Sequence, residues 1–211
     1  MNVINRLATS LNRRDEVPNK ELAIEIMRTN DKRAVKEIVE NLGHKDQNIR
    51  SDCIKVLYEI GEREPGLIAE YYREFGKLLD SANNRLIWGA MTALDSIAAN
   101  EPKGVHSLLE KILNAADSGS VITRDHVVGI LIKLGTLKRY QDECVPLLIE
   151  QLLSCPANQF PMYAEMSLAI VHDGNKEALQ KVMTRRLDGL EKESQKKRIA
   201  KVLKRLTKKS G

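Results

Sequence analysis

Apolar residues return along this chain at a fixed interval. The clearest instance is the stretch from Ile49 to Gly61, which reads I-R-S-D-C-I-K-V-L-Y-E-I-G. Its Cys53, Val56, Leu57 and Ile60 share one face of a helix, and the pattern recurs 37 residues further on. At that step Leu57 is followed by Leu94, Leu131 and Leu168, Ile60 by Ile97, Leu134 and Val171, and Cys53 by Ala90, Val127 and Ala164. Upstream, Ile38, Phe75, Ile112 and Ile149 keep the interval, as do Leu42, Leu79, Ala116 and Leu153. An interval between about 20 and 50 residues, apolar at fixed phases and free elsewhere, marks a stack of repeated supersecondary units.

Within each interval the 3.6-residue period predicts two helices. Residues 2–12, with Val3, Ile4, Leu7, Ala8 and Leu11 on one face, read as a first short helix. Pro18 then breaks the chain, and Asn19 is placed to cap a second helix through Leu22, Ala23 and Ile26. Asp31 is placed to cap the helix that carries Ile38 and Leu42, and Gly43 stands where a left-handed helix end is expected. Pro65 and Pro102 each open a unit at the first helical position, where a missing N–H costs nothing. The remaining pairs are expected near 66–80 with 84–99, 103–116 with 121–135, 141–153 with 159–172 and 176–190 with 191–206. All connections are short, so successive helices must be antiparallel neighbours. No β-type alternation occurs. The expected fold is all-α, an α-α superhelix of about five to six helical hairpins forming a single domain over 1–211. Residues 1–30 would be a degenerate first unit, 31–174 the regular repeats and 175–208 a basic capping unit.

Composition narrows the class without changing it. Aromatic residues make up only 4% of the chain, which suits thin helical layers better than a β-sandwich core. There is no apolar run of membrane-spanning length and no signal-peptide core at the start. Cys53, Cys144 and Cys155 are far apart, and Cys53 lies on an apolar phase, which suggests a small core thiol there and a reducing, cytoplasmic setting. The net charge of +5 is uneven: residues 185–211 balance to +8, leaving −3 for residues 1–184. The basicity belongs to the last helices.

Two helices per unit of this length, with Pro near the first helix, resemble the HEAT-repeat family of armadillo-type helical repeats. So do the turn residues and the Arg that opens the second helix: Asp46 with Arg50, Asn83 with Arg85, and Asp117 with Arg124. The fourth full unit lacks the Arg, having Phe160 to Tyr163 there. The resemblance covers residues 1–208. It implies a right-handed superhelix whose second helices line the concave side, an interaction scaffold rather than an enzyme, and a protein partner.

No phosphate loop, metal-ligand spacing, nucleophile elbow or cofactor motif is present, so no catalytic residue, metal or cofactor is expected. Asp125 and His126 are an acid–imidazole neighbour pair, but adjacent helical residues point apart, so they make no catalytic dyad. The non-core phases of the second helices are more informative. One row runs Ser51, Trp88, Asp125, Met162, a second Asp52, Gly89, His126, Tyr163, and a third Lys55, Thr92, Gly129, Met166. Trp88, Asp125, His126 and Tyr163 are therefore the candidate binding residues, with two glycines that would permit close approach. The alternative is that Trp88, Tyr163 and Met162 pack between repeats. A second candidate surface is the basic patch of the last helix, Lys196, Lys197, Arg198, Lys201, Lys204, Arg205 and Lys208, beside an apolar stripe of Ile199, Val202, Leu203 and Leu206. It suits nucleic-acid phosphate, an acidic protein, anionic lipid or a polar terminal cap.

The expected function is thus a non-enzymatic module that holds another protein on its second helices. The alternative, implied by the resemblance, is a nucleic-acid-binding protein related in fold to DNA-alkylation-repair glycosylases. The single Trp and the −3 balance of residues 1–184 depart from that branch.

Overall fold

A computed structural model describes residues 3–117 and 119–208, with the side chain of Lys208 outside the described set. Helices account for nearly all of its regular structure, and no strand occurs among the described residues. The chain divides into two compact units, residues 1–127 and 128–211.

The first unit begins with a 3-10 turn at Val3–Arg6, followed by α1 (Val17–Thr29), α2 (Lys32–Glu40) and α3 (Gln47–Gly61). Two short 3-10 turns lead to α4 (Tyr72–Leu78) and α5 (Asn84–Ile97). Then come α6 (Pro102–His106), α7 (Leu109–Asp117) and α8 (Val121–Gly135), which crosses the unit boundary. Helix α3 packs between α1 and α5. Cys53, Leu57 and Ile60 of α3 and Ala90, Leu94 and Ile97 of α5 are fully buried there. Burying each large apolar side chain contributes about 1.5–3 kcal/mol.

The caps partly follow expectation. Asp31 accepts from the N–H groups of Arg33 and Ala34, both at 3.0 Å. Asp46 and Asn83 accept from Asn48 and Arg85 in the same way, so they act as helix caps on α3 and α5. Pro102 opens α6 at its first position. Gly43, however, ends a 3-10 turn with negative φ, because α2 stops at Glu40. The left-handed helix end belongs to Asn30, with φ 50°, whose N–H reaches back to Ile26 and Met27.

The largest departure is at the start. Residues 7–12 form turns rather than the expected helix over 2–12. Two of their N–H groups are taken by side chains, Ala8 N–H donating to Asn19 and Thr9 N–H to Asp52, while those of Leu7, Leu11 and Asn12 close local turns. Asn19 is accordingly no N-cap; it sits inside α1, 1% exposed, and its amide also donates to Asp52. So short a helix is marginal by itself, and external acceptors are enough to displace it.

The second unit holds α9 (Gln141–Ser154), α10 (Phe160–Ser167) continued by a 3-10 turn at Leu168–Ile170, α11 (Asp173–Leu187) and α12 (Glu193–Lys208). Here the repeat slips by one residue. Leu148, Leu152, Ser167 and Ile170 are buried, whereas Ile149, Leu168 and Val171 are half-buried and Leu153 is exposed. The step into this unit is therefore 36 residues: Leu131 and Leu134 lead to Ser167 and Ile170. The slip is already present in α9, so it arises before Leu148 and is carried unchanged through α10.

In the same unit the Arg186 guanidinium donates to the carbonyls of Leu152, Leu153 and Cys155 at 2.6–2.9 Å and lies 4.7 Å over the Phe160 ring. It supplies the donors that the open C-terminal carbonyls of α9 lack.

Candidate functional site

The first unit contains a groove of about 900 Å³. Three helices lay residues along it at the spacings that put side chains on one face. Helix α3 contributes Asn48, Ser51, Asp52, Lys55 and Tyr58, with Glu62 just past its end. Helix α5 contributes Arg85, Trp88, Gly89 and Thr92, and the first turns of α8 add Ile122 and His126. The far wall is the irregular segment from Ala8 to Glu16 together with Asn19. The 37-residue step runs across this surface: Asn48 to Arg85 to Ile122, Ser51 to Trp88, Asp52 to Gly89 to His126, and Lys55 to Thr92.

Trp88 is 37% exposed and lines the groove, and Ile122 is 47% exposed beside it. Part of the apolar surface of each is open to solvent in the groove. His126 is half-buried and hydrogen-bonded at both ring nitrogens: Nδ1 is 2.9 Å from Asp95 and Nε2 is 2.9 Å from the Thr92 hydroxyl. It thereby ties α8 to α5 at the groove edge. Its acidic partner is Asp95, not the sequence neighbour Asp125. Asp125 is half-buried and does not line the groove.

Tyr163 belongs to the second unit, where it is a core residue at 1% exposure. The one-residue slip explains it. At a step of 36, Tyr163 falls on the phase of Val127, a core position, and not on that of His126. Gly89 also has a different use from the one its row suggests. A Cβ there would lie 2.5 Å from Ile54 Cγ1, so the glycine allows α3 and α5 to approach and leaves no room for a ligand.

Lys55 organises the groove's electrostatics. Only 9% exposed, its ammonium lies 2.7 Å from Glu59, 3.0 Å from Glu16 and 4.6 Å over the Tyr58 ring. Burial by itself would lower its pKa, but bonds to Glu59, Tyr58 and Glu16 more than offset this and raise it, so the charge is held. Glu16 also approaches Arg85 at 3.8 Å. Asp52 is occupied by Thr9 and Asn19, and Asp15 by Arg13 and the Val17 N–H.

Arg85, Ile122, Tyr58 and the Ala8–Asn19 wall are the site residues the sequence reading missed. The first two were visible, since both lie one helical turn before a position already picked out by the rows. The wall was not, because a segment read as helix gives no sign of lying beside α3.

On the second surface, Lys197, Lys201, Lys204 and Arg205 of α12 are exposed. Lys196 pairs with Glu193, and Arg198 makes a two-pronged bond to Glu165. Lys208, the last expected member, has its side chain outside the described residues. Val202, Ile199 and Leu206 are buried, while Leu203 is half-buried. Among the described residues no cluster of metal-ligating side chains occurs. No helix among them is long and apolar enough to cross a membrane.

No protein-family model matches the chain, and no curated protein matches its sequence. Solved structures do. A designed armadillo repeat protein in complex with the peptide (KR)4 superposes with a TM-score of 0.66 at 15% identity, covering 89% of this chain and 86% of that one. The archaeal HEAT-like repeat protein from Thermococcus onnurineus gives 0.53 at 14% identity, over 92% and 97%. The fold is of the HEAT/armadillo type. A third match, an engineered protein solved by structural genomics, spans 100% of both chains at a TM-score of 0.63 and 18% identity. Such HEAT/armadillo-type neighbours are repeat scaffolds, and at these identities they speak for the fold alone.

Proposed function

We propose that this protein is a HEAT/armadillo-type scaffold that holds a segment of another protein in the groove of its first unit, against α3, α5 and the start of α8. The observation that carries this reading is the part-exposed Trp88, with Ile122, in a groove that also presents charged and polar side chains. An aromatic anchor with orienting polar neighbours is the common composition of a recognition surface. The volume suits an extended segment of a few residues. A similarly folded designed protein has been solved with a peptide bound, which supports this use of the fold.

The test is Trp88→Ala. Stability should change by about 1 kcal/mol or less, as for an exposed site. Affinity for the segment recovered by photo-crosslinking from position 92 should fall by about 2 kcal/mol or more. If the variant instead loses about 3–5 kcal/mol of folding free energy, Trp88 is a packing residue and the reading fails.

Nucleic-acid binding through α12 is the second reading, favoured by the exposed face of Lys197, Lys201, Lys204 and Arg205.

A further inference from the structure

We propose that the segment held in this groove is acidic, and that its carboxylate sits between Lys55 and Arg85 beside Trp88, where Glu16 of the same chain now lies. The proposal rests on the groove being a peptide-binding surface and adds the chemistry of its occupant.

The seat is built from two cations on neighbouring helices. Lys55 is nearly buried and so requires carboxylate partners, since an unpaired buried ammonium is costly. Glu59, four residues on in the same helix, is a permanent one. Glu16 is of another kind. It stands at the N-terminal boundary of α1 but caps nothing there, and its side chain reaches across the groove to Lys55 at 3.0 Å and Arg85 at 3.8 Å. Its side chain remains 45% exposed, so a competing carboxylate can reach the same place from solvent.

The balance of engaged and open charges gives the sign. Asp15 and Asp52 are committed to Arg13, the Val17 N–H, Asn19 and the Thr9 N–H. Arg14 has no ion pair among the described residues, and the Arg85 side chain is 64% exposed with only the long contact to Glu16. The groove thus offers open guanidinium groups while most of its carboxylates are used. Arg85 and Trp88 are three residues apart on one helix face. A segment that places a carboxylate at Arg85 therefore sets its neighbouring side chain on the indole. A basic segment would meet the open Arg14 and Arg85 and, among the described residues of the groove, find only Glu62 uncommitted.

Trp88 is the sole tryptophan, so its emission reports on this site. At low salt, the full chain is titrated with a peptide of alternating Glu and Leu, and separately with one of alternating Lys and Arg. The acidic peptide should shift Trp88 emission saturably, and added salt should weaken it. Glu16→Gln, which removes the internal competitor, should tighten this binding on the order of threefold to tenfold. The pair Arg14→Glu and Arg85→Glu, both at exposed positions, should weaken it about tenfold or more with an unchanged thermal midpoint. If the basic peptide binds and the acidic one does not, the groove stands and the assigned charge is wrong. If Glu16→Gln lowers the midpoint without tightening the acidic peptide, Glu16 is only a structural tie and the proposal is overturned. If neither peptide perturbs the indole, both the occupant and the groove reading fall.

Discussion

Leu94 and Leu168 occupy the same phase of the 37-residue pattern, yet they should not matter equally. Leu94 is fully buried and Leu168 only half so. Leu94→Ala should cost about 2–5 kcal/mol, whereas Leu168→Ala should cost about 1 kcal/mol, measured by denaturant unfolding. Equal costs would mean that the 36-residue step is wrong. The cysteines offer a second test at this scale. Burial, and then the charges of Asp52 and Glu37, push the Cys53 thiol up to about 12, and burial with Glu143 pushes Cys144 up to about 11. The unfolded chain releases these protons near the ordinary thiol value of 9.0, while the folded chain keeps them. Their stabilising contribution is therefore full below that value and is lost as pH rises toward about 11–12. Thiol-reactive disulfide reagents at neutral pH should label neither residue until the protein unfolds. The burial of Cys53 was legible from its phase. That of Tyr163 was not, because a one-residue slip exchanges a surface position for a core one and leaves the letters unchanged.

At the scale of elements, the end of α9 depends on a residue more than 30 positions away. Arg186→Leu removes three carbonyl bonds and the stack on Phe160, so it should cost about 2–4 kcal/mol. Arg186→Lys should recover little of this, because a single ammonium has neither the fork nor the planar face. Thermal unfolding of the two variants decides it; full rescue by lysine would reduce the interaction to charge alone. Caps made by near neighbours, such as Asp31 on α2, could be read from the sequence because donor and acceptor are two or three residues apart. The Arg186 cap and the Asn19–Asp52 anchor could not, because their partners meet only when helices pack.

For the whole molecule the charge is divided, with the basic excess gathered toward α12. Changing Lys197, Lys201 and Lys204 to Glu should leave the thermal midpoint nearly unchanged, since all three are exposed. Any affinity for duplex or single-stranded nucleic acid should fall, with a shallower dependence on salt. Absence of salt-dependent binding by the unmodified protein at low ionic strength would end that reading. On the same helix, the hydrogen bond from Arg198 holds the Glu165 carboxyl below its ordinary value. Its contribution is present above the unfolded glutamate range and is lost as pH falls through the depressed native value. Both side chains are more than 40% exposed, so the effect should be small and should shrink further in salt.

That the chain is helical, that its helices come in pairs, and which face of most of them is buried can all be read from the order of its residues. Those features follow from local rules, the 3.6-residue period and the recurrence of apolar phases, and they need no knowledge of distant contacts. The same order places Trp88 and His126 on one surface, since a constant step between units carries a row across them. Only the tertiary structure decided where the step shortens, and with it that Tyr163 belongs to the core. The same is true of the N-terminal segment: Asn19 and Asp52 capture its backbone, turn a weak helix into a wall, and bring Glu16 against Lys55. Hydrogen bonds between residues 33 and 43 positions apart leave no periodic trace in a sequence. They form because packing puts an unmet donor beside an acceptor.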